Sequence, residues 1–205
     1  MTTLLLSVSA LKTLSVYEAI LNYWYPLILL LIFCLFLSCE YYAYKTGVPT
    51  IASFPSARRK IIEILQKDFA ARAPAARSYT IVDLGSGGGQ LSWHIARALP
   101  RAQVIGIEIS WIPWLRSVLR QRLRGPSNLQ YQRVDFWSYD CATADAVVTY
   151  LTENIIARVS KKLRRELKPG ALVAANDVAL RGDWQPIDSI PTGFLKMQVF
   201  VYRQS

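Results

Sequence analysis

Apolar and polar residues follow two different patterns along the chain. From residue 79 onward, short apolar runs alternate with amphipathic stretches and with loops rich in Gly, Pro and Asn, as in repeated βα units. This pattern predicts strands at 79–84, 102–109, 129–135, 144–151, 171–177 and 194–204, with helices at 88–98, 112–123 and 153–168. Near-continuous apolar strands in this order indicate an α/β fold, with a mostly parallel sheet covered on both faces.

The chain before residue 79 divides into three segments. Leu27 to Leu37 is unbroken apolar sequence, with aromatic residues at both ends of the surrounding low-charge stretch. About 20 helical residues cross a hydrocarbon core of roughly 30 Å, and Tyr and Trp favour its interfaces. We therefore predict a transmembrane helix at 24–44. Residues 1–23 are an apolar segment, either an interfacial helix or a second span, and 45–78 form a linker and a leading helix before the main domain, 79–205.

The charges beside the predicted span set its orientation. Lys45, Arg58, Arg59 and Lys60 follow the span, whereas Lys12 alone precedes it. The positive-inside rule then places the C-terminal domain in the cytoplasm, at a bacterial inner membrane or, in a eukaryote, at the mitochondrial inner membrane. A cleaved signal peptide is the alternative, but the basic n-region and an A-x-A-like cleavage site are both missing.

The net charge and the few histidine and cysteine residues indicate which classes of partner the chain can bind. The formal net charge is +10, concentrated at 116–124 and 158–168. Such runs are either solvated helix faces or surfaces for anionic lipid or nucleic acid. No RNA-binding module accompanies them, so we expect the membrane lipid bilayer rather than nucleic acid. The lone His94 and the three scattered cysteines provide no metal-ligand cluster, so we expect no metal.

The stretch TIVDLGSGGGQL, residues 80–91, predicts a ligand site. Glycines at a strand-to-helix turn allow positive φ and a close approach to the backbone, and the helix start offers free N–H groups. Gln90 stands where a dinucleotide fingerprint has Gly or Ala. Asp83 would repel a pyrophosphate but suits an ammonium group. S-adenosylmethionine (SAM) carries that ammonium, a carboxylate for the amides, and no phosphate.

Two further acids follow the next predicted strands. Glu108 can accept hydrogen bonds from both ribose hydroxyls, and Asp135 can accept one from the adenine amino group, with Phe136 beside the ring. Each acid alone could instead be a helix cap or loop residue. Their combined placement favours the SAM site. The predicted cofactor-binding residues are Asp83, Gly85, Ser86, Gly87, Gly89, Glu108, Asp135 and Phe136.

The motifs DLGSGGG at 83–89 and GIE at 106–108 resemble those of class I (seven-β-strand) SAM-dependent methyltransferases. The predicted anchor, the stretch VPTIASFPSARRKIIEIL, and the segments 147–170 and 176–186 are more narrowly similar to a membrane-anchored lysine methyltransferase family. That family includes mitochondrial enzymes acting on the ATP synthase c subunit and the adenine nucleotide translocase, with bacterial relatives. This sequence departs from the family in having GGQ where DGR is usual, and Thr152 where Pro is usual.

The resemblance implies a Rossmann-like, doubly wound sheet of seven strands, SAM as cofactor, and a protein substrate. It also places Thr149, Tyr150 and Glu153 beside the target amine, with Asp183 and Trp184 near the same opening. Tyr150 and Glu153 are therefore the candidates for orienting the amine. Glu153 has an alternative role, since an acid stabilises the first turn of a helix.

The sequence leaves four candidate functions. The first is a membrane-anchored SAM-dependent methyltransferase acting on a lysine amine of a membrane or membrane-proximal protein. The second is a methyltransferase for a lipid-soluble small molecule, such as a quinone or a lipid. The third is a protein that binds SAM without turnover. The fourth, a nicotinamide-dependent oxidoreductase, is disfavoured by Asp83 and Gln90.

Overall fold

A computed structural model describes residues 17–18, 20–46, 54–72, 79–193 and 197–205. The chain divides into two compact units, with the boundary between Tyr41 and Tyr42. Most of the predicted N-terminal segment and parts of the linker lie outside the described residues. The domain bounds predicted from the sequence therefore stay a prediction.

One long helix dominates the described part of the N-terminal unit. A π-helical turn, Ile20–Trp24, leads into helix α1, Tyr25–Thr46. The stretch Leu21–Tyr42 has a mean hydropathy of 1.9, and none of its most apolar window is buried. The helix is long and apolar enough to cross a membrane, as the sequence predicted for 24–44.

The second unit is a seven-stranded sheet with helices on both faces, which confirms the predicted fold class. The strand order is β3-β2-β1-β4-β5-β7-β6; β1 to β5 run parallel, whereas β7 is antiparallel to both β5 and β6. The elements are α2 (Pro55–Arg72), β1 (Tyr79–Leu84), α3 (Gln90–Ala98), β2 (Ala102–Ile107), α4 (Trp111–Arg124), β3 (Leu129–Gln132), β4 (Ala146–Thr149), α5 (Glu153–Glu166), β5 (Leu172–Asn176), β6 (Asp188–Pro191) and β7 (Gln198–Arg203).

Several elements are shorter than predicted, and the two main differences are the end of β3 and an additional strand. Strand β3 ends at Gln132, so Asp135 lies in the following loop rather than in the strand. Strand β6 was not predicted, because its sequence DSIP is mostly exposed and carries a proline. Proline and polar residues are tolerated at a sheet edge, where one side needs no ladder hydrogen bond. The resemblance implied this seventh strand, whereas the apolar pattern alone did not.

The alternation of side chains divides the core into two layers. Val82, Val147 and Val173 belong to the cluster that packs under α5. Ile81 and Val148, which point to the opposite face, belong to the cluster under α2 and α3. Successive strand residues point to opposite faces, so the register decides which layer each side chain enters.

The winding of the chain creates a crevice at the carboxyl ends of the strands. From β1 the chain moves outward to β2 and β3, then returns to place β4 on the other side of β1. Connections after β1 and after β4 therefore leave in opposite directions. Ligands of such sheets bind at this switch point.

Part of the positive charge stabilises the fold. Lys162 is almost buried and lies 2.5 Å from Glu166, while also donating a hydrogen bond of 2.6 Å to the carbonyl of Tyr139. Lys168 pairs with Asp145 at 2.7 Å across the start of the sheet. These basic residues of 158–168 are therefore structural, and do not simply form a solvated face.

A buried carboxylate joins three elements at the amino edge of the sheet. Asp68 of α2 is 6% exposed. It accepts a hydrogen bond from the Tyr79 hydroxyl of β1, and its other oxygen lies 2.8 Å from the Arg203 guanidinium of β7. Burial and the neighbouring Asp68 carboxylate raise the pKa of Tyr79, which keeps its hydroxyl protonated as the donor.

We predict that Asp68→Asn lowers the free energy of unfolding by about 2 kcal/mol, since it removes the charge from a buried, hydrogen-bonded ion pair. Urea unfolding of the full chain in detergent, followed by tryptophan fluorescence, measures the change. The matched control is Glu63→Gln on the same helix, whose exposed pair with Lys60 should leave the midpoint unchanged. Equal midpoints for the two variants would contradict the role assigned to Asp68.

Candidate active site

A glycine turn links β1 to α3 and lies at the carboxyl edge of the sheet. Gly85, Gly87 and Gly89 have φ values of 76°, 53° and 71°. These values lie in the left-handed region, where only glycine is unstrained. A Cβ on Gly89 would also overlap the phenol of Tyr131 and approach the Cβ of Ser117 to 2.7 Å. The sequence pattern therefore reflects both conformation and space.

Two side chains that the sequence analysis missed hold this turn in place. The Tyr131 hydroxyl donates a hydrogen bond of 2.6 Å to the carbonyl of Gly89. Arg120 donates one of 2.5 Å to the carbonyl of Gly88. The available signal was Gly106, which faces Tyr131 in the β2–β3 register, where any Cβ would come within 2.6 Å of the Tyr131 ring. A glycine inside a strand indicates such a close approach.

Asp83 lies under the turn and is 4% exposed. The Ser92 hydroxyl of α3 donates to it at 2.5 Å. Burial raises the pKa of Asp83 to about 6, and the nearby Glu108 carboxylate adds to the increase, while Ser92 opposes it. A cation bound above the turn would favour the ionised carboxylate. This arrangement suits the predicted ammonium-bearing ligand.

Glu108 follows β2 and is also nearly buried. Its Oε2 accepts the amide of Gly87 at 2.8 Å, and its Oε1 accepts the amide of Ser110 at 2.7 Å. The carboxylate thus fixes the glycine turn against the start of α4. Each oxygen keeps a further lone pair, so the predicted ribose contacts remain compatible with these bonds.

The predicted adenine contacts lie in the loop after β3. The Oδ1 of Asp135 accepts the amide of Trp137 at 3.0 Å, which closes a local turn. Phe136 is 7% exposed and belongs to the core cluster, with its ring 4.7 Å from that of Trp137. Phe136 therefore packs mainly inward, and the roles of both residues toward adenine stay predictions.

The turn provides the groups that SAM requires. The Oγ of Ser86 is buried and has no hydrogen-bond partner among the described residues. The amide of Gly89 is bonded to the carbonyl of Ser86, and that of Gly87 to Glu108, which presets the turn. Helix α3 begins at Gln90, directly after the turn, and the N–H groups of its first turn have no partner within the helix. The residues present therefore fit a carboxylate- and ammonium-bearing nucleoside.

The loop after β4 contains the predicted amine-orienting residues. The Thr149 hydroxyl is buried and has no hydrogen-bond partner in the described part of the chain. Burial, with the charge of Asp177 nearby, raises the pKa of Tyr150, so its phenol stays neutral. Glu153 begins α5 with its side chain 79% exposed, 3.7 Å from Arg181. The structure therefore places Thr149 and Tyr150 at the edge, and Glu153 in solvent.

Trp184 does not lie at an open surface, contrary to the resemblance-based expectation. It is 4% exposed, and its indole N–H donates to the carbonyl of Ser160 at 3.0 Å. Its ring packs edge-on against Tyr202. This large aromatic side chain fills the layer beneath α5, because burying it contributes more than exposing it at an entrance.

Comparisons with known proteins agree with this geometry. Residues 83–188, just over half of the 205 residues, match the family model described as the ANTKMT methyltransferase domain. A protein-lysine N-methyltransferase of Saccharolobus islandicus (strain REY15A) is 24% identical over 165 residues, covering 78% of this chain and 96% of that protein.

Two more distant similarities add information about the fold. A trans-aconitate 2-methyltransferase of Azoarcus sp. (strain BH72) is 27% identical over 114 residues, covering 53% of this chain and 42% of that protein. The crystal structure of an RNA methyltransferase from Salinibacter ruber in complex with S-adenosyl-L-homocysteine matches with a TM-score of 0.64 at 21% identity, covering 75% of this chain and 93% of that chain. The structural match supports the fold alone.

We predict that Gly89→Ala weakens SAM binding at least tenfold, because the new Cβ displaces Tyr131 and with it the turn. Isothermal titration calorimetry with SAM measures the affinity. The matched control is Gly182→Ala: its φ of 78° is equally unfavourable for alanine, but no atom lies within 4 Å of the added Cβ. The control should bind SAM normally, and equal losses in both variants would contradict the steric argument.

The raised pKa of Asp83 predicts a pH-dependent affinity. Above about pH 6 the carboxylate is ionised and attracts the ligand's ammonium; below it, protonation removes that attraction. SAM affinity should therefore fall up to about tenfold from pH 7 to pH 5. In the folded chain without ligand the sign is opposite: stability from the neutral carboxyl is present at low pH and lost as pH rises through 6. Asp83→Asn should flatten both pH dependences. If the variant shows the same pH dependence of SAM affinity as the wild type, Asp83 is not the group that titrates.

Proposed function

Because the chain belongs to the ANTKMT methyltransferase-domain family and is a SAM-dependent methyltransferase, we propose that it methylates a lysine amine of a membrane or membrane-proximal protein. The observation that carries this proposal is the similarity to the Saccharolobus protein-lysine N-methyltransferase, which extends over 96% of that protein. An alignment that covers 78% of this chain is long enough to include both the glycine turn and strand β4.

The proposed division of the site follows from the sheet. The turn at Gly85–Gly89 with Asp83 and Glu108 holds the cofactor on the side of β1 and β2. SAM bound there would supply an activated methyl group on a sulfonium, with a neutral thioether as the leaving group once the C–S bond is replaced by the new C–N bond. The chain's own contribution is to align the amine, and alignment of this kind can supply about 7–11 kcal/mol.

The acceptor must lose its charge before it reacts. A lysine has an ordinary pKa near 10.4, so at neutral pH most of its amine is protonated. A desolvating pocket lowers that value. Tyr150 is half-buried and neutral, and it is our candidate for orienting the amine; the exposed position of Glu153 suits attraction of the ammonium before it enters.

The apolar helix gives the enzyme its proposed location. We assign Leu21–Tyr42 as a single membrane span, with the methyltransferase domain on the cytoplasmic side, where the basic residues after the span favour it. A tethered enzyme meets membrane proteins at a high effective concentration, which suits a membrane or membrane-proximal lysine.

A second candidate acceptor is a small molecule, which the similarity to trans-aconitate 2-methyltransferase favours. One assay separates the two. Membranes from a strain lacking the gene are incubated with tritiated SAM and the full-length enzyme, and label is counted in protein bands and in the organic extract.

We predict label in a protein band, present as methyl-lysine after hydrolysis. Gly89→Ala should abolish the signal, whereas Gly182→Ala should retain it. Label confined to the organic extract would support the small-molecule candidate. Absence of label in both fractions, together with normal SAM binding by calorimetry, would favour a protein that binds SAM without turnover.

A further inference from the structure

Asn176 is the last residue of β5, and its side chain has an unusual environment. It is 1% exposed, yet neither Oδ1 nor Nδ2 has a hydrogen-bond partner among the described residues. Leaving a buried polar group unpaired is costly. The side-chain amide has two N–H donors and a carbonyl oxygen with two acceptor lone pairs, and none of them is used at this position, which makes Asn176 a candidate for binding a ligand.

Asn128 shows what a structural asparagine looks like in this fold. It is 8% exposed, and its Nδ2 lies 3.1, 3.0 and 2.7 Å from the carbonyls of Ala96, Leu99 and Ala102. It ties the end of α3 to the start of β2. Asn176 makes no comparable bonds within the described chain, so a scaffolding role does not explain it.

The sheet register places Asn176 on the same face as Asp83. Leu172 and Ala174 belong to the core layer under α2 and α3, and alternation puts Asn176 on that face. Asp83 pairs with Val148, which also belongs to this layer. Asn176 thus lies two strands away from Asp83, or roughly 10 Å sideways, and nearer the carboxyl edge.

Strand β4 ends one residue too early to cover this position. Thr149 pairs with Ala175, so Asn176 lies level with Tyr150 in the loop beyond β4, while Val199 of β7 flanks its other side. The buried Thr149 hydroxyl points to the opposite face and belongs to a different layer. Among the described residues, Asn176 is therefore the buried polar side chain without a partner that lies on the same face of the sheet as Asp83 and next to the loop after β4.

We propose that the side-chain amide of Asn176 binds the amine that accepts the methyl group. This inference rests on the proposed function and deepens it. Oδ1 accepts one N–H of the neutral amine, which fixes the nitrogen and leaves its lone pair free. An uncharged acceptor suits this step, since it does not hold the amine in its protonated form as a carboxylate would. Nδ2 donates to an oxygen of the acceptor or to a water molecule.

The test compares Asn176→Ala, Asn176→Asp and Asn128→Ala in the full chain. In the tritiated-membrane assay at saturating SAM, Asn176→Ala should lower the rate of protein labelling about 10- to 100-fold, the usual effect of removing a partner of a buried polar group. Its SAM affinity by calorimetry and its KM for SAM should change less than twofold. Asn176→Asp keeps an oxygen at the same place, but its carboxylate would hold the amine in the protonated form, so it should also label protein more slowly than the wild type at neutral pH.

Stability gives an independent readout. Asn176→Ala removes unpaired polar atoms, so its unfolding midpoint in urea should stay equal or rise, as for residues retained for function. Asn128→Ala breaks three bonds and should lower the midpoint while labelling proceeds at the normal rate in the folded fraction. A lower midpoint for Asn176→Ala, without a loss of labelling rate, would make Asn176 structural.

The remaining outcomes separate the two proposals. Wild-type enzyme that labels protein no faster than Asn176→Ala overturns this inference and leaves the proposed function intact. Loss of SAM affinity in Asn176→Ala also overturns it, because Asn176 would then belong to the cofactor. Wild-type enzyme that labels no protein overturns the proposed function, and this inference with it.

Discussion

The site depends on three backbone amides that attach the glycine turn to the end of β2 through hydrogen bonds. The amides of Gly85 and Ser86 both donate to the carbonyl of Ile107, at 2.9 and 2.8 Å, and the next amide, that of Gly87, donates to the Glu108 carboxylate. The pairing of β1 with β2 therefore sets the position of the turn. Asp83, the start of α3 and the loop after β2 all take their places from it, so a parallel ladder of buried strands becomes a ligand site.

The two halves of the carboxyl edge differ in the bonds that their side chains make. On the side of β2 and β3, Tyr131, Arg120 and Glu108 bind turn atoms directly, and the cofactor half is preorganised by many short bonds. On the side of β4 and β5, Glu153 is in solvent, and its partner Arg181 lies 3.7 Å away. Such exposed pairs contribute little energy. We interpret the first half as fixed chemistry shared across the fold, and the second as the part that distinguishes acceptors.

The sequence predicted the elements whose signals are local. Short, near-continuous apolar runs identified six of the strands, and DLGSGGG identified the turn, because glycine and acid at fixed offsets leave few structural solutions. Contacts across the sheet leave weaker signals: Tyr131 reaches Gly89 because β3 is the neighbour of β2, and Gly106 was the sequence feature that pointed to this close approach. The edge strand β6 was missed since polar DSIP resembles a loop, and Trp184 was misplaced because an aromatic in a loop carries no signal of which way it packs.

The distribution of unpaired buried polar atoms also distinguishes the carboxyl edge of the sheet from its amino edge. Within the described residues, buried side-chain nitrogen or oxygen atoms without a partner occur in Ser86, Thr149 and Asn176. All three lie at carboxyl ends of strands or directly beyond, and the amino edge, with its Asp68 network, has none among those residues. Folding alone disfavours such atoms, since each loses water without gaining a bond. We interpret their concentration at one edge as support for the binding site proposed there.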